Sequence, residues 1–299
     1  MTMAISNGSG SCSEPSNPMA TALISGGNAA SFVSARFSVR HDIAVVAAVE
    51  AISDYAAAYF AQEKPGPFNF NPNVSLPPPG ACTAYTGSGY VPGQSLLILP
   101  GMLPTGRSLN PGALSISGLG STASLQAPLG GFTQVTLGAS VPAVAQLAGR
   151  LFLNPGSFAF AGAGGSDGPA FNVSVNVPPP LTWTNRDQLA AVTRSQGLTV
   201  SWTGGPANNS VFLTGGSVDL PANVVATFFC SSSPGATSIT VPPQVLAALP
   251  ATHTQLTQSL GAIYLGEWPI GAPATFSGGG ASNGVAMHVH VLGKSVVIQ

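Results

Sequence analysis

Apolar and polar residues alternate along much of this chain. The pattern is clearest at Ala30–Val39, where Phe32, Ser34, Arg36 and Ser38 alternate with Val33, Ala35, Phe37 and Val39. A period of two sends successive side chains to opposite faces, the mark of a β-strand. Shorter runs read the same way at Thr83–Tyr85, Ser95–Leu99, Leu114–Ser117, Thr133–Leu137, Ser157–Ala161 and Ala170–Val177. Further runs follow at Leu181–Thr184, Leu198–Trp202, Ser210–Thr214, Val224–Cys230, Ser238–Val241, Ala262–Leu265, Ala274–Ser277 and Val285–Val297. Turn clusters such as Asn110-Pro111-Gly112 and Asn154-Pro155-Gly156 separate them. Pro242–Leu249 suits one short helix. Ile43–Gln62, Ala-rich and apolar nearly all round, fits either a helix or two strands broken at Ser53-Asp54.

An internal echo organises these runs. Asn73-Val74-Ser75-Leu76 ends in Pro77-Pro78-Pro79, and Asn172-Val173-Ser174-Val175-Asn176-Val177 ends in Pro178-Pro179-Pro180. Proline cannot donate to a ladder, so each strand stops there, and a triple proline is a stiff spacer. The copies lie roughly a hundred residues apart, the size of one immunoglobulin-type sandwich. The expected fold is therefore all-β, with tandem immunoglobulin-like sandwich modules joined by Pro-rich hinges. Residues 1–17 would form a flexible tail, 18–79 a first β module, and 80–180 and 181–299 two sandwiches. In the last, Val200 and Trp202 would share a face packed toward the strand Thr227–Cys230.

Composition narrows the function classes. Hydrophobic residues make up 44% of the chain but charged residues only 6%, against roughly 25% in an average soluble domain. With 37 Gly and 27 Pro, the surface must be mostly Ser, Thr, Asn, Gln and backbone. A net charge of -1 without Lys/Arg clusters argues against nucleic acid and against docking on anionic lipid. No stretch of about twenty apolar residues forms a transmembrane segment. The start, Met1-Thr2-Met3 running into Asn7-Gly8-Ser9-Gly10, shows neither a basic n-region nor an apolar h-region, so no export signal is read there.

Candidate chemistry is sparse. Cys12, Cys82 and Cys230 lack CxxC spacing, which argues against a zinc site. They read either as buried small hydrophobes or as one disulfide and a thiol, with Cys12–Cys82 the expected pair. His288 and His290 share one face of a strand and could hold a metal if His253 or Glu267 supplied a third ligand, but they read better as surface histidines. Gly164-Gly165-Ser166-Asp167-Gly168 matches the G-x-S-x-G elbow, yet Pro169 and a strand-like run follow it instead of a helix. Gly118-Leu119-Gly120-Ser121-Thr122-Ala123 resembles a dinucleotide loop and reads as a turn, because Pro128 denies it a long following helix. Trp183 and Trp202 suit a core. Trp268, between Glu267 and Pro269, is the expected exposed binding aromatic.

Several segments resemble uncharacterised secreted immunoglobulin-like β-sandwich proteins of soil bacteria. The resemblance is carried by Pro180-Leu181-Thr182-Trp183-Thr184-Asn185, Leu198-Thr199-Val200-Ser201-Trp202-Thr203-Gly204-Gly205, Phe229-Cys230 and Thr240-Val241-Pro242-Pro243-Gln244-Val245-Leu246. Asn73–Pro79 followed by Gly80-Ala81-Cys82-Thr83-Ala84-Tyr85-Thr86 adds to it, so it spans roughly residues 55–299. It implies a sandwich architecture and export, and it favours a strand for the second half of Ile43–Gln62. It supplies no activity, and the chain departs from it in the unseen export signal and the Ala-rich segment.

The reading that follows is a non-catalytic, extracellular or cell-surface structural or adhesive protein without cofactor. Its expected partners are copies of itself or a matrix polysaccharide. Strand edges normally carry Lys or Pro against mispairing, and eight Lys and Arg in all guard few edges. A carbohydrate-binding protein is the alternative, and a hydrolase using Ser166 the third reading.

Overall fold

The computed structural model describes residues 28–41, 49–62, 77–88, 107–125, 132–142, 149–207, 209–252, 254–255, 258–259, 261–269 and 272–299. Cys12, His253, the run Ser95–Leu99 and the tail at 1–17 lie outside these residues, as do 43–48 and 73–76. The chain is nearly all β. In order, its strands are β1 (Asn28–His41), β2 (Val49–Gln62), β3 (Cys82–Ser88), β4 (Arg107–Ser108), β5 (Leu114–Gly118), β6 (Ser121–Leu125) and β7 (Phe132–Ser140). Next come β8 (Gly156–Gly162), β9 (Phe171–Val177), β10 (Thr182–Trp183), β11 (Ala191–Val192), β12 (Leu198–Thr203), β13 (Ser210–Asp219) and β14 (Val224–Ser231). After β15 (Ser238–Val241) and the single turn of helix α1 (Pro243–Leu246) follow β16 (Thr254–Gln255), β17 (Gln258–Ser259), β18 (Gly261–Trp268), β19 (Ala274–Gly278) and β20 (Ala281–Ile298).

The two-residue period decides most of these elements. In β9 the valines and Phe171 are buried while Asn172, Ser174 and Asn176 face water, as alternation requires. The Ala-rich segment is a strand from Val49 onward. It is neither the helix nor the pair of strands broken at Ser53-Asp54 that the sequence left open: it continues through those residues, and the register with β7 shifts between Asp54 and Tyr55. In α1, Pro243 occupies the first turn, where its missing N–H costs nothing.

The sheets share strands in a way that local sequence does not show. An eleven-stranded main sheet runs in the order β3-β14-β13-β18-β20-β1-β2-β4, with β11 and β19 also on β20, and β7 on β2. β1 lies parallel to β20, and β3 antiparallel to β14. Strands from all three expected modules therefore belong to one sheet, so the breaks at 79 and 180 separate stretches of chain without separating sheets. Two smaller sheets cover one face of it: β6-β5-β8-β9 and β10-β12-β15. Pro178–Pro180 carries the chain from β9 of the first to β10 of the second.

Each small sheet encloses its own core against the main sheet. Under the four-stranded sheet, Ala30, Phe32, Phe60 and Ala286 meet Ile116, Phe158, Phe160 and Val175. The Phe32 and Phe160 rings stack at 3.7 Å. Under the three-stranded sheet, Leu213, Phe228, Ile263, Leu265 and Val296 meet Trp183, Val200, Trp202 and Val241. The expected pairing of Val200 and Trp202 with the Cys230 strand is present in this core. The opposite face of the main sheet carries Phe212, Phe229 and Val291, with Phe37, Tyr85, Tyr264 and Trp268 packed beside them.

Candidate functional site

The two cores do not meet. Between them, on the same face of the main sheet, lies a row of ionisable residues set by strand register: Asp54 of β2 opposite Arg36 of β1, Arg36 opposite His290 of β20, and His290 opposite Glu267 of β18. Directly opposed residues project from the same face, so the row forms a polar seam. Asp54, Glu267, His288, His290 and Lys294 are all buried.

Arg36 holds Asp54 through two bonds, Nε to Oδ1 at 2.7 Å and Nη2 to Oδ2 at 2.8 Å. Asp54 Oδ2 also accepts the backbone N–H groups of Phe152 at 2.6 Å and Leu153 at 2.7 Å. One carboxylate thus joins β1 and β2 to the segment that enters β8. On the other side, Arg186 donates to Glu50 at 2.8 Å and to the carbonyls of Ser38 at 3.0 Å and Gly293 at 2.6 Å. Lys294 donates to the carbonyl of Arg186 at 3.0 Å. Ser38 also donates to Glu50, and Arg40 pairs with Asp187. Burial pushes the Glu50 carboxyl up, but the hydrogen bonds from Ser38 and Arg186 and the nearby Arg186 and Arg40 charges outweigh it and hold the group low.

The histidines are interior, which corrects the expectation of surface histidines. Ser34 Oγ lies 3.0 Å from His288 Nδ1. Burial first, then the His290 and Arg36 charges, pull His288 down to about 3; Asp54 opposes them. Burial and Arg36, with a smaller part from Arg186, bring His290 to about 4, again against Asp54. Both are neutral imidazoles near neutral pH. Glu267 is pushed up to about 7 by burial, against hydrogen bonds from the Leu181 N–H and the Asn209 side chain. Its Oε1 accepts the Leu181 N–H at 3.3 Å, so it grips the link between the small sheets. A Cβ on Gly205, which has φ +81°, would lie 2.7 Å from Glu267 Oε2, so only glycine fits there without displacement. Among the described residues, Glu267 Oε2 and His290 Nδ1 make no hydrogen bond.

The structure treats the other candidates differently from one another. Cys82 is bonded to Cys230, a correction to the expected Cys12–Cys82 pair. The two face each other in register across β3 and β14, so an edge strand is stapled to its neighbour. Trp268 ends β18 half-buried instead of standing in an exposed loop, its ring 5.0 Å from Phe212 and 6.0 Å from Phe229. Ser166 sits exposed in the turn bridged by Gly165 and Gly168. Its surroundings are those of a turn clamp: Asp167 accepts from the Asn110 N–H at 2.8 Å and from Arg107 at 3.1 Å. These contacts, the Asn110 bond first, hold the Asp167 carboxyl low. Among the described residues no three His, Cys, Asp or Glu side chains are placed to hold a metal ion, and no helix is long and apolar enough to cross a membrane. The seam was missed because its residues come from strands up to 254 positions apart.

No family model matches the chain, and no curated protein matches it. Among solved structures, a DUF3823 family protein from Bacteroides ovatus is similar at 11% identity, over 72% of this chain and all of that one, with a TM-score of 0.16. A likeness of that size carries no argument about fold or activity.

Proposed function

We propose that the protein is a non-catalytic structural or adhesive component of the cell surface or extracellular matrix that associates with copies of itself. One observation carries the reading: a row of ionisable side chains is buried inside the fold, while of the strands that end the sheets β3, β6, β9, β10 and β15 carry no charge and only the two-residue β4, with Arg107, does. Arg36, Asp54, Glu267, His288, His290 and Lys294 hold the seam together. Lys294, the one lysine among the described residues, is buried and guards no edge. No Asp, Glu, Lys or Arg occurs between Arg107 and Arg150, so that surface meets a neighbour without repulsion. The Cys82–Cys230 disulfide supports an oxidising location, where such bonds persist. Sedimentation velocity over a concentration series, with electron microscopy of the same samples, tests the reading. Discrete oligomers or filaments are expected, and monomers at every concentration would refute it.

A further inference from the structure

Resting on that reading, we infer that strand β6, Ser121–Leu125, is the association site, and that it pairs antiparallel with β6 of a second copy about a two-fold axis at Ala123. β6 ends the four-stranded sheet and, among the described residues, has a single ladder partner there, β5. β6 comes near β7, yet its Thr122 and Ser124 stay exposed. Among the other strand ends, β4 and β10 are two residues each, β15 is four, β3 lies near α1, β9 lies against β19, and the backbone of Arg150 approaches β7 at Gly138.

The β5–β6 hairpin determines which backbone groups face outward. Its loop is Leu119-Gly120, with both residues at positive φ, 51° and 75°, a two-residue turn whose closing pair is Gly118 and Ser121. Antiparallel pairs alternate between bonded and non-bonded types. Gly118–Ser121, Ile116–Ala123 and Leu114–Leu125 are therefore the bonded pairs, and the N–H and C=O groups of Thr122 and Ser124 point away from β5. The exposed side chains of β6 are the same two residues, Thr122 and Ser124.

These positions are self-complementary. With the axis at Ala123, Thr122 of one copy faces Ser124 of the other, twice, and both residues have their backbone groups turned outward. About four inter-chain hydrogen bonds form, and the two four-stranded sheets become one. Hydroxyl side chains then face each other across the junction, a favourable cross-strand pair. On the opposite side, buried Leu125 and half-buried Ala123 continue the core face into the partner. Because the same patch is used by both copies, the contact closes as a dimer and does not propagate. Any filament would need a second contact elsewhere.

Sedimentation velocity on the full chain and three variants tests the pairing. Thr122→Pro removes an N–H that β5 does not use, so it blocks pairing without breaking the hairpin. The double substitution Thr122→Lys with Ser124→Lys places like charges opposite each other. The combination Thr122→Lys with Ser124→Glu places opposite charges there instead. The expected result is dimers for the wild type and the Lys/Glu chain, and at least a tenfold weaker association for the proline and double-lysine chains. Near-UV circular dichroism matched to wild type shows that each variant is folded. A wild type that assembles unchanged by the double lysine overturns the β6 contact alone. A wild type that is monomeric throughout overturns both the contact and the functional reading beneath it.

Discussion

Glu267 and His290 face each other across β18 and β20, both buried, each with one polar atom that bonds nothing among the described residues. Glu267 accepts the Leu181 N–H where the Pro178–Leu181 link joins the two small sheets, so its protonation bears directly on whether the sheets stay seated on the main one.

The sign of the pH dependence follows from the directions of the shifts. Glu267, raised from 4.5 to about 7, keeps its proton in the folded chain after the unfolded chain has lost it. Stability therefore falls as pH climbs from 4.5 to 7 and is level above. His288 and His290, lowered from 6.5 to about 3 and about 4, do the reverse. Their contribution is full above 6.5 and is lost as pH drops toward 4 and then 3. Between 4.5 and 6.5 two histidines outweigh one carboxyl, which places the seam's optimum near pH 6.5. Thermal melts across pH 3.5–9 should show that maximum.

Replacing Glu267 by Gln keeps the oxygen that accepts from Leu181 and removes the ionisation. The variant should melt as wild type does below pH 4.5 and be the more stable above pH 7, by at most ~3 kcal/mol. Equal melting temperatures at pH 8 would show that the carboxylate is already solvated in the folded chain.

Asp54 should be the most sensitive position in the seam. Its carboxylate takes both Arg36 bonds and two backbone N–H groups at no exposure. Asp54→Ala leaves a guanidinium only 15% exposed without its carboxylate, so a loss of about 2–4 kcal/mol is expected in urea titrations, the lower part of the buried-pair range because water still reaches Arg36. Removing both charges together, Arg36→Met with Asp54→Leu, should cost clearly less than Asp54→Ala alone, because no buried charge is then left unpaired.

The elements were legible because a two-residue period is a local signal. β9, β12, β15 and β14 fall within a residue or two of where alternation and turn residues place them. The route between the small sheets is also marked, by Pro178–Pro180. The shared sheet is not, since β1 and β20 meet from opposite ends of the chain. For the same reason β1 reads ambiguously. Its Phe32, Ser34, Arg36 and Ser38 face is the inner one, with Ser34 and Ser38 buried, while Val33, Phe37 and Val39 on the other face are half-buried. Only the partners supplied by β2 and β20 make a polar face suitable for the interior. The cysteine pairing fails similarly: the Ser/Gly-rich stretch around Cys12 favours tying that residue to Cys82, whereas register across β3 and β14 selects Cys230, 148 residues from Cys82.

That staple is itself testable. It closes a long loop, so reducing it should lower stability by about 2–5 kcal/mol, read as a drop in melting temperature when reductant is added. Peptide mapping without reductant should recover Cys82 joined to Cys230, and a Cys12–Cys82 peptide would restore the pairing expected from sequence.

The hairpin that presents β6 holds a leucine where the backbone does not favour one. Leu119 has φ 51° and is 55% exposed, so its side chain gains little from burial while its Cβ crowds the carbonyl in the left-handed region. Asn tolerates that region and is preferred at such turns. Leu119→Asn should therefore stabilise the fold by about 0.5–1 kcal/mol, measured by chemical denaturation, and leave the proposed β6 contact unaffected because the β6 backbone is unchanged. A destabilised variant would mean that Leu119 contributes through packing over Gly156, whose Cβ position lies 3.1 Å from it, and that this contact outweighs the strain of the turn.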